Sequence, residues 1–185
     1  MTTRTHTDTA PRAWIGCLAC YNNARLVGEW FDAETADEGT LADVHGGAHR
    51  VRSGCEELWV MDHENIATSG ETSPSEAAEW ARVLLAIPEH QREALCAWVT
   101  SGSYVAEGTG DLPSVPDFEE RFCGTWGSFR DYAETLAEEI GLIPQDDAPE
   151  ELVRYFNWNA WTRDLELDYT VVRSDAISVY VFRDL

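Results

Sequence analysis

Short strand signals at both ends of the chain, amphipathic helical signals between them, and two loop-rich breaks predict an α+β protein built from small modules. The strand signals are apolar runs of four to six residues bounded by turn chemistry. The breaks fall at Thr68–Ser75, rich in Ser, Thr, Gly and Pro, and at 107–116, EGTGDLPSVP. They divide the chain into an expected tail at 1–12, an N-terminal mixed α/β domain at 13–68, a central helical domain at 69–112 and a C-terminal α+β domain at 113–185.

Met1–Arg12 is Thr-rich without an apolar stretch. It reads as a disordered tail, not a secretory signal. Residues 13–32 read as a β-hairpin-like pair: Trp14–Ala19, then Tyr21-Asn22-Asn23 as the turn, then Leu26–Phe31 with Gly28 inside it. The stretch 34–54 is weaker, a short helix followed by a Gly/His loop. Glu57–Met61, ELWVM, is a third short strand. Ser73-Pro74-Ser75-Glu76 predicts a helix start, with Ser73 and Glu76 capping each other and Pro74 at the first helical position. Trp80, Val83, Leu84 and Ile87 give that helix its apolar face, and Pro88 ends it. A second helix follows, carrying Leu95, Trp98 and Val99, and closes at Ser101-Gly102.

Residues 117–141 read as two further helices. In the second, Phe129, Tyr132, Ala133, Leu136 and Ile140 share one face. Asp131, Glu134 and Glu138 cluster opposite, with Glu139 at the edge, and no basic residue is expected to offset them there. Gly141 suits the helix stop. Glu150–Tyr169 reads as a strongly aromatic helix. Thr170–Arg173 and Ile177–Phe182 read as a closing hairpin.

Charge is the dominant compositional feature. Thirty-four Asp and Glu face thirteen basic residues, all Arg, for a formal net charge of -21. With 44% hydrophobic residues, the charge belongs on a folded surface, not a disordered chain. Arginines interrupt the acids rarely: six acids lie between Arg25 and Arg50, seven between Arg52 and Arg82, eight between Arg130 and Arg154. A compact globule of 185 residues is roughly 40 Å across. Its net charge then averages roughly 0.5 per Å, against about 0.6 per Å for duplex DNA. Such a surface repels nucleic acid and anionic membranes and attracts basic partners quickly. No run is long enough and apolar enough for a membrane helix.

Catalytic and metal motifs are weak. Cys17 and Cys20 form a CxxC, which is half a zinc site, and the other cysteines stand apart in sequence. The five cysteines fit a reducing cytoplasm better than a disulfide framework. His45 and His49 lie in a poorly helical HGGAH segment, and Asp62-His63-Glu64 reads as surface. Nothing singles out the carboxylate pair that a glycosidase needs, and the Trp residues fall at core spacings. The expectations are therefore no enzyme, no catalytic residue, no metal and no cofactor.

Several ordered stretches resemble one family. Residues 14–32, with YNN at 21–23 and GEWFD at 28–32, resemble the start of the ArdA antirestriction proteins. Residues 56–66, EELWVMDHENI, resemble the next block of that family. Residues 117–142 and 149–169, including RYFNWNAWTRDLELDY at 154–169, and the closing VYVFRDL at 179–185 resemble its C-terminal third. The resemblance is weakest over 70–110 and absent from 1–12, and the chain departs from the family pattern in the 45–54 loop.

The resemblance implies a DNA mimic of the kind carried by mobile elements. Such a protein occupies the DNA-binding groove of type I restriction–modification enzymes and blocks restriction and modification without catalysis. It implies an elongated, curved fold of three small domains that dimerises through its C-terminal region. A dimer of chains of -21 carries about -42, the phosphate charge of roughly 20 base pairs. By position, the mimic surface would include Glu29, Asp32, Asp62, Glu64, Asp117, Glu119, Glu120, Asp131, Glu134, Glu138 and Glu139. Tyr155, Phe156, Trp158 and Trp161, in the family's antirestriction motif, would serve core or dimer packing. The alternative reading is an acidic binding module or chaperone for another basic, nucleic-acid-binding protein.

Overall fold

The computed structural model describes residues 9–68, 72–108, 110–142, 154–174 and 177–184, and they form an α+β protein with two small antiparallel sheets. The chain divides into two compact units. One runs to Cys96 and includes Ala106–Val115; the other comprises Ala97–Val105 and Pro116 onward.

In the first unit, β1 (Arg12–Cys17) lies between β2 (Gly28–Asp32) and β3 (Leu58–Glu64), antiparallel to both. The pair read from 13–32 is present, but its connection is not a simple Asn turn. A short helix, α1 (Leu18–Asn22), is inserted, and the Asn23 side chain donates to the Ala19 carbonyl at 2.7 Å. The alternation of β1 sends Ala13, Ile15 and Cys17 to the inner face, where all three are fully buried. A 3-10 segment (Ala33–Glu38) and α3 (Pro74–Ala86) pack together, and α3 also packs on β1 and β3. The packing is close because its residues are small: Ala33, Ala36, Ala77, Ala78 and Ala81 have no exposed surface. Arg82 on α3 reaches back to Asp37 at 2.8 Å, and this hydrogen bond holds the Asp37 carboxyl below its usual range.

The weak helical signal over 34–54 resolves into that 3-10 segment, α2 (Leu41–His45) and a 3-10 turn at Ala48–Arg50. Residues 9–12, expected in the tail, are tied down. Thr9 Oγ1 donates to Glu89, the Asn65 side chain donates to the Ala10 carbonyl, the Pro11 carbonyl accepts from Ala33, and Arg12 starts β1.

The start of α3 follows its sequence signature. Ser73 Oγ accepts from the Glu76 amide at 3.2 Å, the Glu76 carboxylate accepts from the Ser73 amide at 2.7 Å, and Pro74 takes the first position. Ser73→Ala removes an N-cap and is expected to cost about 1 kcal/mol, seen as a lower urea midpoint at unchanged m-value. The two bonds at Ser73 hold Glu76 below its usual pKa. The contribution of the box is therefore present above the ordinary carboxylate pKa and is lost as pH falls. Ile87 takes an extended backbone before Pro88 and stops the helix. α4 (Arg92–Ser101) follows a 3-10 turn at Glu89–Gln91.

The second unit contains α5 (Val115–Arg121), β4 (Phe122–Trp126), α6 (Phe129–Glu139), α7 (Trp158–Leu165), β5 (Tyr169–Arg173) and β6 (Val179–Arg183), with sheet order β4-β6-β5. The closing hairpin is β5–β6. β4 was not expected: 117–141 read as two helices with no strand between them. Gly124 explains the concealment. Its φ of +108 accompanies a register irregularity between Phe122 and Gly124 in the pairing with β6, and a glycine there weakens the strand signal.

Trp98, Phe118 and Phe182 are almost fully buried in this unit. Trp98 stacks on Phe182 with ring centres 6.0 Å apart, and Phe118 stacks on Phe122 at 5.2 Å. Phe129, Tyr132, Ala133 and Val181 form a neighbouring core cluster. Ile140 departs from the predicted face of α6. It caps the helix and is 58% exposed, while Ala137 is buried in its stead. Among the described residues, the aromatic helix read over 150–169 is interrupted at 156–157 and ends before 169. Asn157 caps α7 by accepting from the Ala160 amide, and Tyr169 already belongs to β5. Residues 143–153, with Asp146, Asp147, Glu150 and Glu151, lie outside the described residues.

Candidate functional site

The acidic positions singled out in the sequence fall on three pieces of regular structure. The first is the outer face of the first sheet. Residues opposite each other in antiparallel strands share a face. Arg12 on β1 stands between Asp32 on β2 and Glu64 on β3, and the next outward residue, Trp14, stands between Trp30 and Asp62. Asp32, Asp62 and Glu64 are thereby brought together on one exposed face. Glu29 is not: it pairs opposite the buried Ile15, so it leaves the edge strand on the other side, though it too is exposed.

Arg12 partly offsets this face. Its guanidinium lies 3.6 Å from Glu64 and 5.1 Å from the centre of the Trp30 ring. Beside it, Trp14, Trp30, Trp59 and Met61 line a cleft of about 920 Å³ with Glu57 and Asp62 among its walls. These tryptophans are half-buried on the outer face, so the core reading of the Trp residues holds for Trp80 and Trp98 and fails here. Two glycines lie against the Trp14 ring. A Cβ on Gly28 would lie 2.4 Å from the Trp14 ring, and one on Gly16 would lie 2.9 Å from it. Only neighbouring strands without side chains at these two paired positions let that indole lie across them.

The second piece is α5. Phe118 anchors it in the core, which leaves Glu119 and Glu120 exposed and Asp117 half-buried in the first turn. The third is α6, where Asp131, Glu138 and Glu139 are exposed and Glu134 is half-buried. Ser128 caps this helix: its Oγ accepts from the Asp131 amide and donates to the Asp131 carboxylate at 2.9 Å. The expectation that no basic residue offsets this face is corrected. Arg130 donates to Glu134 at 2.6 Å, four residues apart, and also to Asn159 in the first turn of α7. The long, flexible arginine one turn away reaches across, which an idealised helical wheel does not show. Among the described residues, Glu119, Glu120, Glu138 and Glu139 have no arginine within ion-pair distance.

The four aromatics of the 154–164 segment separate. Trp161 packs on the Phe129–Tyr132 cluster, its indole reaching toward the Ala133 carbonyl at 3.5 Å. Phe156 and Trp158 meet edge to face at 4.7 Å and are half-buried, whereas Tyr155 is 79% exposed.

Sequence reasoning missed one constellation. Cys17, Cys20, His45 and Cys55 meet in the first unit, all buried. The reading of CLAC as a pair without partners is therefore corrected: His45 of the HGGAH segment is buried beside it, whereas His49 is exposed. Burial and its neighbours Cys17 and Cys55 push the Cys20 thiol up to about 11. The missed signal was the pairing of a CxxC with a later His and Cys at irregular spacing.

The family model described as "Antirestriction protein (ArdA)" matches residues 13–177. No curated protein matches the chain. The match runs from β1 through the loop between β5 and β6 and covers most of the sequence, and on that ground the chain belongs to the ArdA antirestriction family.

Proposed function

We propose that this protein is a DNA mimic that occupies the DNA-binding groove of a type I restriction–modification enzyme and blocks restriction and modification without catalysis. Family membership supplies the antirestriction role. The observation that carries the mechanism is the mounting of the acids: among the described residues, the exposed carboxylates singled out above sit on strands and helices, and Ser128 caps one of those helices. Rigid placement lowers the ordering cost of binding. A basic groove is drawn to this surface as it is to phosphates, and carboxylates present no base edges, so the mimic stands for backbone alone. Enzymes with different target sequences should therefore be inhibited alike.

The active species in this reading is a homodimer joined through the C-terminal region. The exposed Tyr155, and Leu167 at 81% exposure in the same unit, support that assignment.

The test is cleavage of unmodified DNA by a type I enzyme with the protein in molar excess. Inhibition is expected, competitive with duplex DNA for one site, and weakening steeply as salt is raised. Undiminished cleavage would sink the proposal, and a flat salt response would point to an apolar interface.

A further inference from the structure

Four potential metal ligands converge in the first unit from three separate segments. Cys17 ends β1, and its amide donates to the Val27 carbonyl at 3.0 Å. Cys20 lies in α1, whose single turn brings the second sulfur of the CxxC round beside the first. The Cys20 carbonyl accepts from the amides of both Asn23 and Arg25, which fixes the turn. His45 is the last residue of α2, held by the Thr40–Asp43 capping box at one end and by Gly46 in the left-handed region at the other. Cys55 follows a turn in which its amide donates to the Arg52 carbonyl at 3.1 Å, with Gly54 at φ +91.

Exposure of the four is 0, 2, 7 and 9% for Cys17, Cys20, His45 and Cys55. One ligand atom from each lies within 4.8 Å of all the others, and the Cys20 and Cys55 sulfurs are 3.8 Å apart. A second observation is independent of the thiols. His45 Nε2 is buried without a hydrogen-bond partner. A desolvated ring nitrogen that nothing meets works against the fold. Three thiols and an unmatched imidazole nitrogen, turned toward one another and closed off from solvent, make a poor apolar core and a good donor set.

We propose that Cys17, Cys20, His45 and Cys55 form a structural zinc site. Zinc–sulfur bonds of about 2.3 Å in a tetrahedron place sulfurs roughly 3.8 Å apart. The Cys20–Cys55 pair already has that separation, and the widest pair needs to close by no more than about 1 Å. Soft thiolates with one imidazole select zinc over hard cations. Burial on all sides leaves no open coordination position, which marks the site as structural. On binding, the three thiols release three protons to solvent, and the neutral imidazole donates its lone pair, leaving a site charge of −1. The metal fastens the CxxC turn, the end of α2 and the 52–55 turn to one another beside the sheet that carries Asp32, Asp62 and Glu64.

The unaltered full chain, purified under reducing conditions without chelator or histidine tag, is expected to carry about one zinc per chain by elemental analysis. Cobalt(II) exchanged for zinc should give the ligand-field and thiolate charge-transfer bands of a tetrahedral sulfur-rich site. Cys55→Ser and His45→Ala should lose the metal, while Cys96→Ser and Cys123→Ser keep it. His45→Cys preserves four soft ligands and should retain it. Chelation should lower Tm, and added zinc should restore it. If Cys55→Ser fails to fold, the unaltered chain still decides. The proposal is overturned by protein that lacks zinc and gives no cobalt–thiolate spectrum. It is equally overturned by a Cys20–Cys55 disulfide in place of free thiols, or by metal that persists without Cys55 and His45.

Discussion

Phe118→Ala is expected to destabilise the second unit by about 3–5 kcal/mol, a large share of the roughly 5–15 kcal/mol that holds a typical domain together. Phe118 has no exposed surface, and its ring lies 5.2 Å from Phe122, 5.8 Å from Trp98 and 6.2 Å from Phe182. Truncation leaves a cavity among three rigid rings that cannot collapse onto it. It also removes edge and stacking contacts worth about 0.5–1.5 kcal/mol per pair. Urea unfolding followed by tryptophan fluorescence measures the loss directly, since Trp98 is in the same cluster. The functional consequence is the more informative one. This unit positions Glu119 and Glu120 on α5 and Glu138 and Glu139 on α6, and the substitution leaves the net charge of -21 unchanged. Inhibition of a type I enzyme is therefore expected to fall in step with the folded fraction. Full inhibition by unfolded Phe118→Ala would mean that any polyacid suffices and that rigid placement is irrelevant.

What the sequence disclosed followed the range of the interactions involved. Local signals were legible. The Ser73–Glu76 capping box, Pro74 at the first helical position and the stop at Gly141 depend on residues within one turn of each other, and each is realised in the fold. Gly141 takes φ +66, its amide bonds to the Glu138 carbonyl and the Leu142 amide to that of Ala137, the paired bonds of a Schellman stop. Long-range pairing was less legible. β4 gains its partner from β6, almost sixty residues later, and its glycine disguised it. The Cys/His cluster joins 17, 20, 45 and 55 through three turns that no periodicity links. Trp14, Trp30 and Trp59 lie at positions suited to a core, and only the strand register, with glycines at 16 and 28, turns them outward. The acids themselves were easy to find and hard to group, because the strand pairing separates Glu29 from Asp32 and Arg130 changes the surroundings of Glu134.

Glu138→Gln together with Glu139→Gln is expected to move stability and inhibition in opposite directions. Both carboxylates sit in the last turn of α6, where the helix dipole is negative and where no basic residue stands. Acids there work against the helix by about 0.3–1 kcal/mol each, so their neutralisation should raise Tm. Both are exposed, and among the described residues neither is paired with an arginine, so the change removes charge without breaking a contact. Asp131 and Glu134 are less suitable. The first is tied to the Ser128 cap at 2.9 Å, and removing the second frees Arg130, so each would mix two effects. Against the restriction enzyme, losing two unpaired carboxylates is expected to weaken inhibition at low salt, and reversing both to Arg to weaken it about tenfold, equivalent to about 1.4 kcal/mol. The deficit should shrink as salt screens the surface. A helix end that keeps two acids against its own dipole is then explained by what it binds, because the same two charges that loosen the fold strengthen the complex. Unchanged inhibition in the Arg pair, with the fold intact, would leave the end of α6 as an ordinary solvated face and shift the mimic surface to α5 and the first sheet.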